Sequence, residues 1–371
     1  MEDESEAAEV PDWQLPHILG AQGVATLWLA SSCVLGHRPI NAVSGLTHRS
    51  AVATEMLILV NGFQAQASCK PAHHRNFLRS CSRLVLTAEI CMGISMAVAW
   101  LSGKEAAARW KTLTCLLFLR PWLHADPDCP DEPVWLIMAL LPSWLLHAFV
   151  TRYLLSRVAN GSTPGSCLGA LCLCLWFAAA LPELLLAFGN GGWWLWRSQA
   201  LPTWFWPPAL AADFAMGACA GSAAQGLSPG RNLGILADLS ILVVFLLLWL
   251  APLSEGEILA DSRQGALQFA PGPLAARAAA PALALLLFAG SERTCGSRVA
   301  RLLAHPSLVA LSACSWEAYL LAAPLRDLCN GPLKGWLQLD SAPGYVAYFL
   351  LLWLLAGLLS GFVTKALEAQ N

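Results

Sequence analysis

Charge is what this chain has least of. Only 12% of its 371 residues are Asp, Glu, Lys or Arg, about half of the ~25% usual in a soluble domain. A protein folding in water around one core and keeping a charged surface is therefore excluded as the default. Bases do not outnumber acids, at 22 against 24, so no general nucleic-acid surface is expected and any basic site must be local. The first twelve residues, MEDESEAAEVPD, carry six acids and no base. That is the reverse of a secretory leader, so no cleaved signal is expected and the tail reads as disordered. Internal repeats and long polar linkers are also lacking, which favours one domain. The longest polar stretch, RPWLHADPDCPDEP at 120–133, reads as a loop.

What is present is apolar: 57% of the residues are hydrophobic and 17 are tryptophan. Crossing a bilayer takes about 20 mostly apolar residues. Ten stretches meet that description, centred near 28, 59, 94, 145, 177, 211, 243, 282, 316 and 355. The eighth, PLAARAAAPALALLLFAG, is the weakest because it holds Arg277 and Pro281. LTCLLFL at 113–119 is too short to span and fits a re-entrant or interfacial segment. The predicted fold is an all-α integral membrane protein with about ten transmembrane helices in one bundle over 19–366, an acidic tail over 1–18 and a short tail over 367–371.

Ten spans put both termini on one side, and the Lys and Arg residues divide evenly between the sides. The loop with Lys70, Arg75, Arg79 and Arg83 favours a cytosolic placement of that loop and of both termini. The sequon Asn160-Gly161-Ser162 then lies in the cytosol, unglycosylated. Most of the 13 cysteines fall in spans as small apolar residues; Cys129 and Cys329, in loops on the other side, are a candidate disulfide. Five tryptophans around Arg197, in NGGWWLWRSQALPTWFWPP, suit the headgroup level as an anchor.

Span two, with TEMLILVNGF at 54–63, carries polarity where leucine would serve. Helical rotation of 100° per residue returns Leu59, Gly62 and Gln66 to the face of Glu55. Gly62 would let a neighbouring helix come close. Glu55 should then face protein or a wet cavity, because an ionised group against lipid costs at least ~2.5 kcal/mol. In span one, GAQGVATLWLASSCVLGH, Gln22 opens the apolar run and His37 closes it. An imidazole there serves either as a general base or as a plain interfacial residue.

The succession GAQGVATLWLASSCVLGH, TEMLILVNGF and NFLRSCSRL resembles the opening of the membrane acyltransferase-3 family, integral enzymes that move acyl groups from acyl-CoA to sugars and lipids. FWPPALAADFAMGACAG and SWEAYLLAAPL look like two later segments of that family. The resemblance implies that His37 and Glu55 occupy the catalytic positions. Gln22 and Asn61 become candidates for polar or oxyanion support. Arg79 and Arg83, with Arg75 and Lys70 nearby, would hold the phosphates of acyl-CoA, acetyl-CoA by expectation. No metal is implied. The partners would be the bilayer, the acyl donor and a carbohydrate or lipid hydroxyl, with no nucleic acid. The chain departs from the pattern at Gln22, where the family has arginine, at Leu140, where it has an acid after Trp135, and at Ala322, where many members have histidine.

A rival reading rests on the acids inside spans: Glu89, Glu183, Asp213, Asp238 and Glu317. With His147 between Ser143 and Thr151, they would suit the path of an ion-coupled transporter. An acyltransferase homologue without catalysis is the third alternative.

Overall fold

The computed structural model of the protein describes residues 15–35, 50–67, 71–102, 109–119, 133–159, 164–189, 207–226, 231–250, 271–291, 296–334 and 341–369, with 129, 131 and 339. Among them the chain is helical and contains no strand. The first helices are α1 (Pro16–Leu35), α2 (Ala51–Ala67), α3 (Pro71–Leu101) and the short α4 (Arg109–Leu116). Next, α5 (Val134–Leu146) passes through a π turn (His147–Thr151) into α6 (Arg152–Ala159). Then come α7 (Pro164–Gly189), α8 (Pro207–Gly226), α9 (Arg231–Leu250) and α10 (Pro271–Ala289). The chain closes with α11 (Arg298–Leu303), α12 (Pro306–Ser312), α13 (Ser315–Asn330) and α14 (Ala342–Glu368).

Local chemistry explains many of the boundaries. Helices α1, α3, α7, α8, α10 and α12 each begin with proline, whose fixed φ suits the first helical position and whose missing N–H costs nothing there. Ser297 and Ser341 cap α11 and α14 by accepting from Ala300 N at 3.0 Å and Gly344 N at 3.1 Å. Pro142 lies inside α5 shortly before the π turn. It supplies no N–H and crowds the carbonyl one turn back, which loosens the helix there.

All ten predicted centres fall inside described helices, so the all-α class holds, but the expected number of crossing helices does not. Among the described residues, three are long and apolar enough to cross a membrane: Arg79–Leu101, Pro164–Pro182 and Ala342–Glu368. The pair α12 and α13, bent by 66°, makes a fourth if taken as one span. Two of the other runs are visibly short: α2 has 17 residues and α5 only 13 before its π turn. The 113–119 run is the end of α4 followed by a turn, in which Phe118 takes φ 57°.

The surface matches an apolar solvent. Along α14, Val346, Leu350, Leu354, Leu358 and Phe362 repeat every four residues and are all well over half exposed, while Tyr348, Leu352 and Ala356 are fully buried on the opposite side. Exposed apolar area of this kind marks contact with lipid or protein rather than water.

Helix α2 lies at the centre, with 14 of its 17 side chains buried, and packs on α8, α10 and α1. Its contact with α8 is reciprocal. A Cβ on Gly62 would overlap the Phe214 carbonyl, and a Cβ on Gly217 would overlap the Leu59 carbonyl. Gly62 therefore does what the sequence reading asked of it, and the two backbones approach as in small-residue membrane contacts.

Among the described residues a disulfide joins Cys115 to Cys129, whose Cα atoms are 5.9 Å apart. Cys329 is buried and free, which corrects the expected Cys129–Cys329 pair. The end of α4 brings Cys115 within reach of the loop, whereas Cys329 points into the core from the last turn of α13.

Candidate functional site

Three ionisable side chains meet in the middle of the bundle: Glu55 from α2, Asp213 from α8 and Arg277 from α10. Their side chains are 0%, 0% and 1% exposed. Arg277 forms a close ion pair with Asp213, and its Nη1 lies 3.6 Å from Glu55 Oε2. The close α2–α8 approach permitted by Gly62 and Gly217 brings the two carboxylates to one guanidinium. With all three ionised the centre carries one negative charge, which a low-dielectric interior penalises unless a proton, a donor or a cation offsets it. Trp176 of α7 donates from Nε1 to the Arg277 carbonyl at 2.7 Å. The buried ring of His147, in the π turn, meets Phe214 edge-on at 5.8 Å.

A second polar assembly joins both ends of the chain. Gln22 of α1 donates from Nε2 to Ser315 Oγ of α13 at 2.6 Å, and its Oε1 accepts from Gln64 Nε2 of α2 at 3.0 Å. Arg83 of α3 donates from Nε to Glu317 Oε1 of α13 at 2.9 Å and from Nη2 to Ser360 Oγ of α14 at 2.7 Å. Residues separated by 293 and 234 positions thus become direct partners.

The residues singled out in the sequence fare differently. Glu55 is buried against protein, as expected of it, but its charged neighbour is Arg277. Arg277 was read as a weakness of the eighth span, not as a partner for two acids. Asn61 is buried and donates to the Leu57 carbonyl of its own helix at 2.8 Å, so it is spent on its helix instead of facing the Glu55 cluster. Arg79 is exposed. His37 and Lys70 lie outside the described residues, as does the Arg75 side chain. Trp135, Leu140 and Ala322 are buried, and the Ala322 carbonyl accepts from Tyr348 Oη at 2.8 Å.

The acids of the rival reading are dispersed. Asp238 accepts from Ser297 Oγ and from the backbone N–H groups of Arg298 and Val299 at 2.6, 3.1 and 3.0 Å, holding the start of α11. Glu317 pairs with Arg83, and Glu89 is exposed. The Glu183 side chain lies outside the described residues. Among the described acids of that set, only Asp213 joins the central cluster.

Compared with family models, with curated proteins and with solved structures, the chain matches none.

Proposed function

We propose that this protein is a multi-pass membrane acyltransferase, with both termini cytosolic, that moves an acyl group from acyl-CoA to a hydroxyl of a carbohydrate or lipid. The observation that carries the proposal is the convergence of the segments that resemble acyltransferase-3 enzymes. Gln22 of the first binds Ser315 of the last, and Arg83 of the basic loop binds Glu317. Those contacts tie α1 and α3 to α13, and α2 carries both Gln64, which bonds Gln22, and Glu55 of the charged cluster.

In this reading the acceptor oxygen attacks the thioester carbonyl. A C–O bond forms, the C–S bond breaks, and His37 takes the hydroxyl proton and returns it to the departing thiolate of CoA. The oxygen of the carbonyl gains negative charge on the way. Arg277 is the cation beside Glu55 that suits it, with one of the two neighbouring carboxylates protonated so that the centre starts neutral. Arg79, with Arg75 and Lys70, is left for the CoA phosphates, since Arg83 is committed to Glu317. The dispersal of Asp238, Glu317 and Glu89 favours this reading over a continuous ion path.

The test is release of CoA and transfer of label from acetyl-CoA and octanoyl-CoA by purified protein in nanodiscs, with His37→Ala alongside. The expected result is turnover lost in the variant while its unfolding midpoint is unchanged. Folded wild-type protein that consumes neither donor, but carries a pH- or Na⁺-dependent flux in liposomes, would replace the proposal with the transporter.

A further inference from the structure

A cavity of 280 Å³ lies between α7, α8 and α10, and every side chain lining it is apolar or a thiol. Gly165 and Gly169 of α7 form its exposed rim; Met216 and Ala220 of α8 and Ala284 of α10 form its buried floor, with Pro281 half-buried beside them. A Cβ on Gly169 would meet no atom within 4 Å, so this glycine leaves a gap instead of seating a neighbouring helix. The rim opens on the outer face of α7, where Leu173, Phe177 and Leu181 are at least half exposed, on a helix apolar enough to cross a membrane.

The helical register leads from this cavity to the charged centre. Met216 is three residues from Asp213 and Pro281 four from Arg277, about one turn in each case. Cys172 of α7, also in the lining, is four residues from Trp176, which bonds the Arg277 carbonyl. An apolar slot open to lipid thus ends about one turn from a buried guanidinium flanked by two carboxylates.

We propose that the cavity binds the acyl chain of a single-chain amphiphile and places its carbonyl end at the Glu55–Arg277–Asp213 centre. Resting on the acyltransferase reading, this assigns the donor as a medium-chain acyl thioester and not acetyl-CoA alone. Taking each methylene as about the size of a water molecule, roughly 30 Å³, the slot holds about nine carbons. The absence of a lining charge suits a hydrocarbon tail, and an uncharged carbonyl end adds no further charge to the cluster.

The experiment reads binding without catalysis. Wild-type protein in nanodiscs is irradiated with the methyl ester of a ten-carbon fatty acid that carries a terminal diazirine, an uncharged stand-in for the thioester, and the adducts are mapped by peptide mass spectrometry. Adducts are expected on 165–173, 216–223 and 281–288, competed by methyl decanoate and not by methyl acetate. Gly169→Leu, whose side chain enters open space, should fold as wild type. Displacing two methylenes of the ligand, it should weaken labelling about tenfold. His37→Ala should label as wild type, which separates failure of the slot from failure of the transfer reaction. Labelling that is as strong on the outer faces of α9 and α14 as in the slot, or that ignores Gly169→Leu, would overturn the proposal in favour of ordinary boundary lipid.

Discussion

Replacing Arg277 with methionine should be among the most damaging single changes in the core of the helix bundle. Methionine keeps much of the stem volume but removes the cation that, among the described residues, pairs with Asp213 and Glu55. Two carboxylates would be left at 0% exposure, and at least one must take up a proton. Breaking a buried ion pair by removing one partner costs about 3–5 kcal/mol. At 1.4 kcal/mol per factor of ten, that lowers the folded-to-unfolded ratio between about a hundredfold and a few thousandfold. The geometry also ranks the neighbouring changes. Glu55→Gln removes the surplus charge and leaves the close Asp213–Arg277 pair, so it should cost about 1 kcal/mol or less. Asp213→Asn leaves Arg277 only the carboxylate at 3.6 Å and should fall between. The combined Glu55→Gln, Asp213→Asn, Arg277→Met variant has no charge to strand and should recover most of the loss. The assay is reversible unfolding in mixed micelles with rising dodecyl sulfate, followed by tryptophan emission. Arg277→Met as mild as Glu55→Gln, or no recovery in the triple variant, would refute the assignment of these three side chains to one charge-coupled centre.

Glycine substitutions separate close helix contact from ordinary helix propensity. Gly62→Ala forces a Cβ against the Phe214 carbonyl and should lower the unfolding midpoint clearly. Gly93→Ala meets nothing within 4 Å and should be neutral, or stabilising by about 0.5–1 kcal/mol, because alanine is the better helix former. Equal effects in the same micelle assay would contradict the α2–α8 packing. Peptide mapping of unreduced protein should recover Cys115 linked to Cys129. Cys329→Ser should leave that pair intact, while Cys115→Ser should cost about 3 kcal/mol by the loop-entropy argument for a closure of 14 residues.

How far the sequence carried depends on whether a feature is local. The centre of each of the ten long apolar runs lies in a helix because the cues, proline at the start, serine caps and continuous hydrophobicity, act within one segment. Crossing length was harder to read, because helix ends depend on loops and on kinks such as that after Pro142. Glu55 was legible for the same local reason: a carboxylate in an apolar helix must face something other than lipid. What it faces was not, because Asp213 and Arg277 come from helices whose pairing no spacing rule specifies.

A charge balance over the apolar runs would have gone further. A cation that weakens one run and an acid that weakens another are each costly alone, and they become tolerable only when buried together. Arg277 is therefore stronger evidence for a partner within the bundle than against its own helix. The same logic distinguishes Arg83, whose length lets it reach both Glu317 and Ser360, from Arg79, which stays exposed four residues earlier on α3. The basic segment read as one phosphate-binding loop is part of α3, and in three dimensions it divides into an arginine bonded to Glu317 and Ser360 and one that stays exposed.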